Sequence, residues 1–504
     1  MKTRYKVFGA IFGTVLLINV FGPMLYSPPT TDANGHQHLG GPAGDGGTLG
    51  AFLPLLMMGG IGYGLYRWWN RPDTTQQKSD ITTVESVKGG TFDPSAHWDP
   101  DAGVFLGQGP DDRHAVYIPE KIYLETHMQI IGPTGSGKGV LLGNLAAQTI
   151  QAGRGLVVID PKRDKYMGHI LADACRKAGR TLHVVDLQEG RRGGWQPFRA
   201  GREQERVSRA VESFDLNPSG STADFYKIQG KELLTRVMAS TDGSIGQVLD
   251  WLEQDEKKYG KNDKVPGALE RNYFKIWGAR KNLNPPGGGF NLNKALAVGD
   301  VIYLRTDPND SELVIPLKAF LMQISQWKFA NPESRHLTVI GDEVSLYVSS
   351  YLAKTLATIR GTNTNFVLAY QSLSDMETAG KPGEGQVLRQ RIDQNCQLKV
   401  FYGTQDNLTV ETVEQMSGTR GVWKKTQEAG LRGYKTSGRS ADEDYLIPGN
   451  LIRRLGAGVA VYFEPSMMAQ LVVTAPVKTD LANDLENDDR YYSLAGKSAV
   501  KAAP

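Results

Sequence analysis

Cysteine is nearly absent from this chain of 504 residues: Cys175 and Cys396 are the only two, and neither has a CxxC or CxxxC partner. That excludes a disulfide scaffold and argues against a cysteine-based zinc site, leaving two reduced thiols of a cytosolic body. Net charge is also scarce. Lys and Arg number 57 against 54 Asp and Glu, for a formal +3. So mild a balance gives no whole-molecule attraction to nucleic acid, and any DNA contact has to come from a local patch. Lys and Arg are missing altogether between Ser27 and Thr48, a stretch rich in Gly, Pro and His. The length suffices for two or three domains and a large core.

The gap without basic residues lies between two uncharged apolar runs, Val7 to Tyr26 and Leu49 to Tyr66. Each can cross the roughly 30 Å hydrocarbon layer of a bilayer. Lys2, Arg4 and Lys6 precede the first run, while Arg67 and Arg71 follow the second with Trp68 and Trp69 between them. Basic outer flanks and a neutral middle place both termini in the cytoplasm, with the tryptophans at the membrane–water interface. A cleavable signal peptide would share the basic start, but no A-x-A site follows. Gly9 with Gly13 and Gly60 with Gly64 form small-xxx-small pairs that let helices approach closely. Residues 1–71 are therefore expected to form a transmembrane hairpin with a short periplasmic loop, and the polar residues 72–100 a linker.

The body is organised around Gly132-Pro133-Thr134-Gly135-Ser136-Gly137-Lys138, set between the apolar runs His127–Ile131 and Val140–Ala147. Strand, glycine loop and helix in that order make a P-loop: backbone N–H groups and a helix N-terminus cradle phosphates, and a lysine reaches the β/γ oxygens. The glycines are needed because side chains would block the backbone's approach and some positions need positive φ. Gly132, Pro133, Thr134, Gly135, Ser136, Gly137, Lys138, Gly139 and Val140 are the candidate nucleotide-binding residues, with ATP and Mg²⁺ the expected cofactors. One more absence matters here. The Ser or Thr that normally follows the lysine and holds Mg²⁺ is Gly139, so water, Ser136 or Thr134 has to fill that place.

Short, fully apolar runs continue through Gly155–Asp160, Thr181–Asp186, Val301–Leu304, Leu337–Gly341, Asn365–Tyr370, Gln397–Tyr402 and Gly458–Phe463. Such runs, buried on both faces and separated by helical patterns, indicate a parallel sheet in an α/β domain. Between Gly201 and Gly289 the series stops, and Arg202–Phe214, Asp224–Met238, Ile245–Lys257 and Ala268–Lys281 have helical apolar spacing. Residues 201–289 read as an all-α domain inserted between strands, four helices being enough for a core of their own. Residues 476–504 read as an acidic, flexible tail.

Asp342 and Glu343 end the apolar strand that begins at Leu337. A first carboxylate at a strand end can orient Mg²⁺, and a second can polarise the attacking water as general base. Asp342 is thus the metal candidate, and Lys138, Asp342 and Glu343 are the catalytic core. Gln371 ends the next strand and either senses the γ-phosphate or orients water, or is simply a polar terminus. Asp160-Pro161-Lys162-Arg163-Asp164 lies at the sheet's carboxyl edge, where ligands gather in open α/β sheets. Its role is either nucleotide-proximal or structural. Arg360 and Arg391, near late strand–helix junctions, are candidates for an arginine supplied to a neighbouring subunit, and each could equally be a plain surface residue. Between Arg420 and Arg439 the basic residues Arg420, Lys424, Lys425, Arg432, Lys435 and Arg439 face only Glu428, about +5 in total. Trp423 and Tyr434 lie among them, and the glycines there favour a loose loop. Cations that track phosphates beside rings that stack on bases suit single-stranded DNA. A solvated loop or one touching anionic lipid is the competing reading.

Taken together, these features resemble the coupling proteins of type IV secretion and conjugation, the TraG/TraD-type hexameric membrane ATPases. The likeness rests on Gly137-Lys138-Gly139, on Asp160-Pro161-Lys162, on Asp342-Glu343, on Tyr370-Gln371-Ser372, and on Asn395 with Thr404–Asp406, combined with the hairpin and the helical insert. Arg163-Asp164 departs from the family's usual Gly-Glu. The resemblance implies a RecA-like P-loop domain over residues 101–200 and 290–475. It also implies a homo-hexamer at the bacterial inner membrane that receives single-stranded DNA bound to a relaxase and passes it to a type IV secretion channel with ATP hydrolysis. A septal DNA pump, a secretion ATPase moving proteins, and a receptor platform in which ATP only sets assembly are the competing classes.

Overall fold

The computed structural model describes residues 91–479 apart from 189–192, 219, 221–223, 261–263, 381–382 and 430–434, together with the short strands β1 (Thr30–Thr31) and β2 (Gln37–His38). The chain divides into two compact units, Met1–Thr83 and Val84–Pro504. In the first, β1 and β2 pair antiparallel, with Thr30 opposite His38. The expected membrane spans at 7–26 and 49–66 lie outside the described residues. Among the described residues no helix is long and apolar enough to cross a membrane.

The second unit is built on β3 (Val104–Gln108), β4 (Ala115–Ile118), β5 (Met128–Ile131), β6 (Gly155–Asp160), β7 (Leu182–Asp186), β8 (Val301–Arg305), β9 (Leu337–Gly341), β10 (Thr364–Tyr370) and β11 (Leu398–Tyr402). It continues with β12 (Thr419–Ala429), β13 (Lys435–Tyr445), β14 (Val459–Phe463) and β15 (Gln470–Val473). Eleven of these strands form one sheet in the order β4-β3-β15-β14-β11-β5-β10-β9-β6-β8-β7. From β11 to β7 every pairing is parallel. All residues of β5, β6, β9 and β10 are buried, which is why these strands are written as unbroken apolar runs rather than alternating ones.

The sheet is mixed, not purely parallel. β14 runs antiparallel to β11, with Tyr402 opposite Ala460, and β15, β3 and β4 extend it antiparallel to the edge. The run at Gly458–Phe463 was expected to join the parallel series. An apolar run records burial on both faces, and burial is the same whichever way a strand points.

One face of the sheet is covered by helix Lys138–Gln151, which buries Leu141, Leu142, Leu145 and Ala146, and by helix Met167–Lys177. On the other face lie helices Val314–Ala330 and Ser350–Thr358. Helices Glu203–Ser213, Asp224–Ser240, Ile245–Glu256 and Ala268–Ala279 join that second layer. Their buried side chains, among them Leu233, Val237, Phe274 and Trp277, run into the same apolar cluster as the sheet's own Val157 and Leu304. Trp195 meets Phe320 edge-on at 5.0 Å, and the buried Arg209 guanidinium donates to Gln326 Oε1 at 2.8 Å across this junction. The four helices therefore share the sheet's core instead of closing one of their own. The expected linker also docks early: Trp98 Nε1 donates to Asn144 Oδ1 (2.9 Å) on the P-loop helix.

Candidate nucleotide site

The carboxyl ends of β5, β6, β9 and β10 converge on the P-loop. β5 leads into it, and Gly132 N–H donates to Tyr370 O at the end of β10, 3.2 Å away. Gly135 (φ +80) and Gly137 (φ +120) hold the left-handed backbone that opens the loop. Space is a second constraint. A Cβ on Gly132 would lie 2.7 Å from Tyr402 Cβ, and one on Gly137 would lie 2.9 Å from Tyr402 Cε1 and 3.1 Å from Gly458 Cα. Gly458 N–H donates to Ser136 O at 2.8 Å, so the entry to the antiparallel strand β14 braces the loop from outside.

Lys138 is buried at the start of its helix and its Nζ folds back onto the carbonyls of Gly132 and Pro133. Burial lowers its pKa, while Glu343 and Asp342 pull the other way. Ser136 Oγ is buried without a hydrogen-bond partner. An ammonium and an unsatisfied hydroxyl on a glycine loop at a helix N-terminus form a donor set that suits phosphate oxygens.

Asp342 and Glu343 follow β9. Asp342 N–H donates to Ile159 O (2.9 Å), tying the turn to β6, and Tyr347 OH donates to Asp342 O (3.0 Å). Burial, helped by nearby Asp160 and Glu343 and opposed by Lys162, pushes the Asp342 carboxyl up to about 6. Glu343 is 3 % exposed and sits at φ +44, an uncommon backbone for a residue with a Cβ. Its two oxygens are engaged, one by Lys162 Nζ in an ion pair and the other by Gln371 Nε2 at 3.2 Å. Gln371 is thus brought to the general-base candidate directly. Lys162 belongs to the turn that the sequence marked at the sheet's carboxyl edge, but its pairing with Glu343, 181 positions away, follows from no local pattern.

The Asp160 turn is internally braced and also borders the P-loop cavity. Asp160 is buried; its Oδ1 accepts from Arg163 N (2.8 Å), and its Oδ2 accepts from Asp164 N (2.7 Å) and Tyr303 OH (2.6 Å). Arg163 takes φ +60, at the position where the resembled family has glycine, and its guanidinium pairs with buried Asp186. The same turn delivers Lys162 and Asp164 to a cavity of about 640 Å³ that also takes in Thr134, Lys138, Gly139, Val140, Asp342 and Glu343. Pro476, Val477 and Thr479 line it too, so the start of the stretch expected to be a flexible tail is part of the site.

Arg360 and Arg391 do not join this cluster. Both are exposed. Arg360 precedes β10, whose far end carries Gln371, and Arg391 lies in helix Gly385–Asn395, which returns the chain to the start of β11. Both therefore belong to the sheet's amino edge, away from the chain's own P-loop. The basic segment is not a loop: β12 and β13 form a separate antiparallel ladder from Thr419 opposite Tyr445 to Ala429 opposite Lys435. Trp423, Lys424, Lys425 and Lys435 lie on its strands, and Arg432 falls outside the described residues.

The model of the family described as the TraM recognition site of TraD and TraG matches residues 336–457, the part that carries Asp342, Glu343, Gln371 and the ladder. The chain is similar to the TraG/TraD-type coupling proteins. Mobilization protein A of Escherichia coli is 24% identical over 344 residues, 66% of this chain and 61% of that protein; the chain thus matches about three fifths of the curated relative's length. The coupling-protein likeness extends to the fold. The unbound form of the conjugative coupling protein TrwB superposes with a TM-score of 0.56 at 17% identity, over 71% of this chain and 87% of that one. TrwB in complex with ADP and Mg²⁺ does so at 0.54 and 19%, over 73% and 89%. VirB4 of Thermoanaerobacter pseudethanolicus gives 0.52 and 15%, over 75% and 97%. The mixed α/β architecture is thus the RecA-like one of these proteins.

Proposed function

We propose that this protein is an ATP-driven coupling protein of the inner membrane, with two spans and both termini in the cytoplasm, that links relaxase-bound single-stranded DNA to a type IV secretion channel in conjugation. The observation that carries the enzymatic part is the cavity in which the P-loop, Lys138, Asp342 and Glu343 meet. The coupling-protein similarity supports the DNA-transfer part. ATP and Mg²⁺ are the cofactors this donor set fits, in keeping with a relative whose structure holds ADP and Mg²⁺.

When bound, the cation neutralises phosphate charge and polarises the transferred group. Lys138 would turn from the P-loop carbonyls to the β/γ oxygens, and the loop amides and Ser136 Oγ would bind the remaining oxygens. Asp342 would orient the cation through its water shell. Glu343, released from Lys162, takes the proton of the attacking water, and Gln371 keeps it oriented.

The test is phosphate release by the full-length protein in lipid nanodiscs, with and without single-stranded DNA. We expect DNA to raise turnover. Lys138→Ala should abolish nucleotide binding and hydrolysis, and Glu343→Gln should keep nucleotide bound while slowing turnover at least about 100-fold. Hydrolysis indifferent to DNA would favour the receptor platform, and wild-type turnover in Glu343→Gln would remove that residue from catalysis.

A further inference from the structure

We propose that Asp164 takes over the metal-side role of the hydroxyl that position 139 lacks, holding Mg²⁺ through the ion's bound water beside the P-loop. This rests on reading the cavity as a nucleotide site. A Cβ built on Gly139 would meet one heavy atom within 4 Å, Asp164 Oδ2 at 3.4 Å. The space a serine or threonine side chain would occupy is therefore bordered by a carboxylate oxygen.

Its geometry is fixed by the turn. Asp164 Oδ1 accepts from Tyr166 N (2.7 Å) and Met167 N (2.9 Å), and its own N–H is held by buried Asp160. Rotation about the side chain is thereby blocked, and Oδ2 is left on the side of Gly139. The residue is exposed and lines the cavity together with Asp342. The two acids come from neighbouring parallel strands, since β6, which enters the Asp160 turn, pairs with β9, which ends before Asp342. Mg²⁺ keeps most of its waters and is typically held by one or two carboxylates together with substrate phosphates. A carboxylate that accepts from a metal-bound water tunes affinity much as an inner ligand does. A hydroxyl ligand replaced by glycine and an acid turned toward the vacated space thus form one compensated site.

Asp164 also accepts from the amides of Tyr166 and Met167 at the start of helix Met167–Lys177, so the test has to separate those bonds from metal binding. Asp164→Asn keeps the oxygen that accepts from Tyr166 and Met167 but removes the charge. Full-length protein is titrated with a fluorescent ATP analogue at rising Mg²⁺, and again in EDTA, and Mn²⁺ binding is followed by electron paramagnetic resonance. The Mg²⁺ half-saturation for nucleotide binding should rise roughly tenfold in Asp164→Asn, with affinity in EDTA unchanged. Adding Gly139→Ser should return most of that loss, because a Cβ at 139 is sterically tolerated and restores a donor. An unchanged half-saturation in Asp164→Asn overturns the proposal. So does a rise that Gly139→Ser fails to reverse, which would assign the effect to the turn. Failure of the wild type to bind the analogue at all would instead refute the nucleotide reading.

Discussion

Asp342 carries a charge in a place that resists it. Burial and the proximity of Asp160 and Glu343 raise its pKa to about 6, against the opposing charge of Lys162. In the nucleotide-free protein the carboxyl is therefore protonated below about pH 6 and unable to attract a cation. Mg²⁺-dependent nucleotide affinity should fall as pH drops through that value, the inflection should move to lower pH at saturating Mg²⁺, and Asp342→Asn should remove it. For stability the sign is the reverse. A carboxyl whose folded pKa lies above its unfolded one binds more protons when folded, so its contribution is complete below about pH 4 and is lost as pH rises through about 6. A nucleotide-affinity profile flat between pH 5 and 8 would contradict the assignment of Asp342 to the metal. At this scale the sequence disclosed what depends on fixed spacing: the P-loop glycines, Lys138 and the Asp342-Glu343 pair. It did not disclose Lys162 against Glu343 or Asp164 against Gly139, because each pairing joins residues that only the strand order brings together.

Among elements, the strands of the parallel core were legible because two buried faces leave an unbroken apolar run. The ladder of β12 and β13 was not. Its charges and glycines hide strand pairing, and no apolar alternation marks the register that sets Lys425 opposite Arg439. Along the ladder Arg420, Gly421 and Val422 face Asp444, Glu443 and Asp442, whereas the distal half pairs Lys424 with Ser440 and Ala429 with Lys435. Acid is thus concentrated at the base and basic residues in the outer half. Replacing Lys424, Lys425 and Arg432 with Ala should leave basal hydrolysis intact and weaken single-stranded DNA binding. The slope of log affinity against log salt should shrink by about 0.7 for each phosphate no longer neutralised. Unchanged affinity and slope would move DNA contact to another element. The helical insert shows the opposite limit: helical periodicity was legible in each helix, but not that their apolar faces merge with the sheet's core, since periodicity marks a buried face without naming what covers it.

For the molecule as a whole, the positions of Arg360 and Arg391 bear on the ring that the proposed function includes. Both are exposed at the amino edge of the sheet, and the P-loop lies at the carboxyl edge. Neither lines the P-loop cavity of its own chain. Within the cavity the cations are Lys138 and Lys162, and among the described residues no arginine lines it. An arginine that stabilises the transferred phosphoryl group contributes about 10³–10⁵ in rate to P-loop enzymes, so a site built only from this chain would turn over slowly. In the ring we propose, each subunit would offer its amino edge to the next one's P-loop, which would supply that arginine and make ATPase activity depend on neighbours. Mixing tests this. Subunits carrying Arg360→Ala or Arg391→Ala, co-assembled with wild type at increasing fractions, should depress activity more steeply than their share of the ring for whichever arginine acts in trans. That same variant should bind nucleotide normally, since its own P-loop is untouched. Strictly proportional loss for both variants would mean that each subunit completes its own site, and the ring would then have to be argued from DNA passage alone.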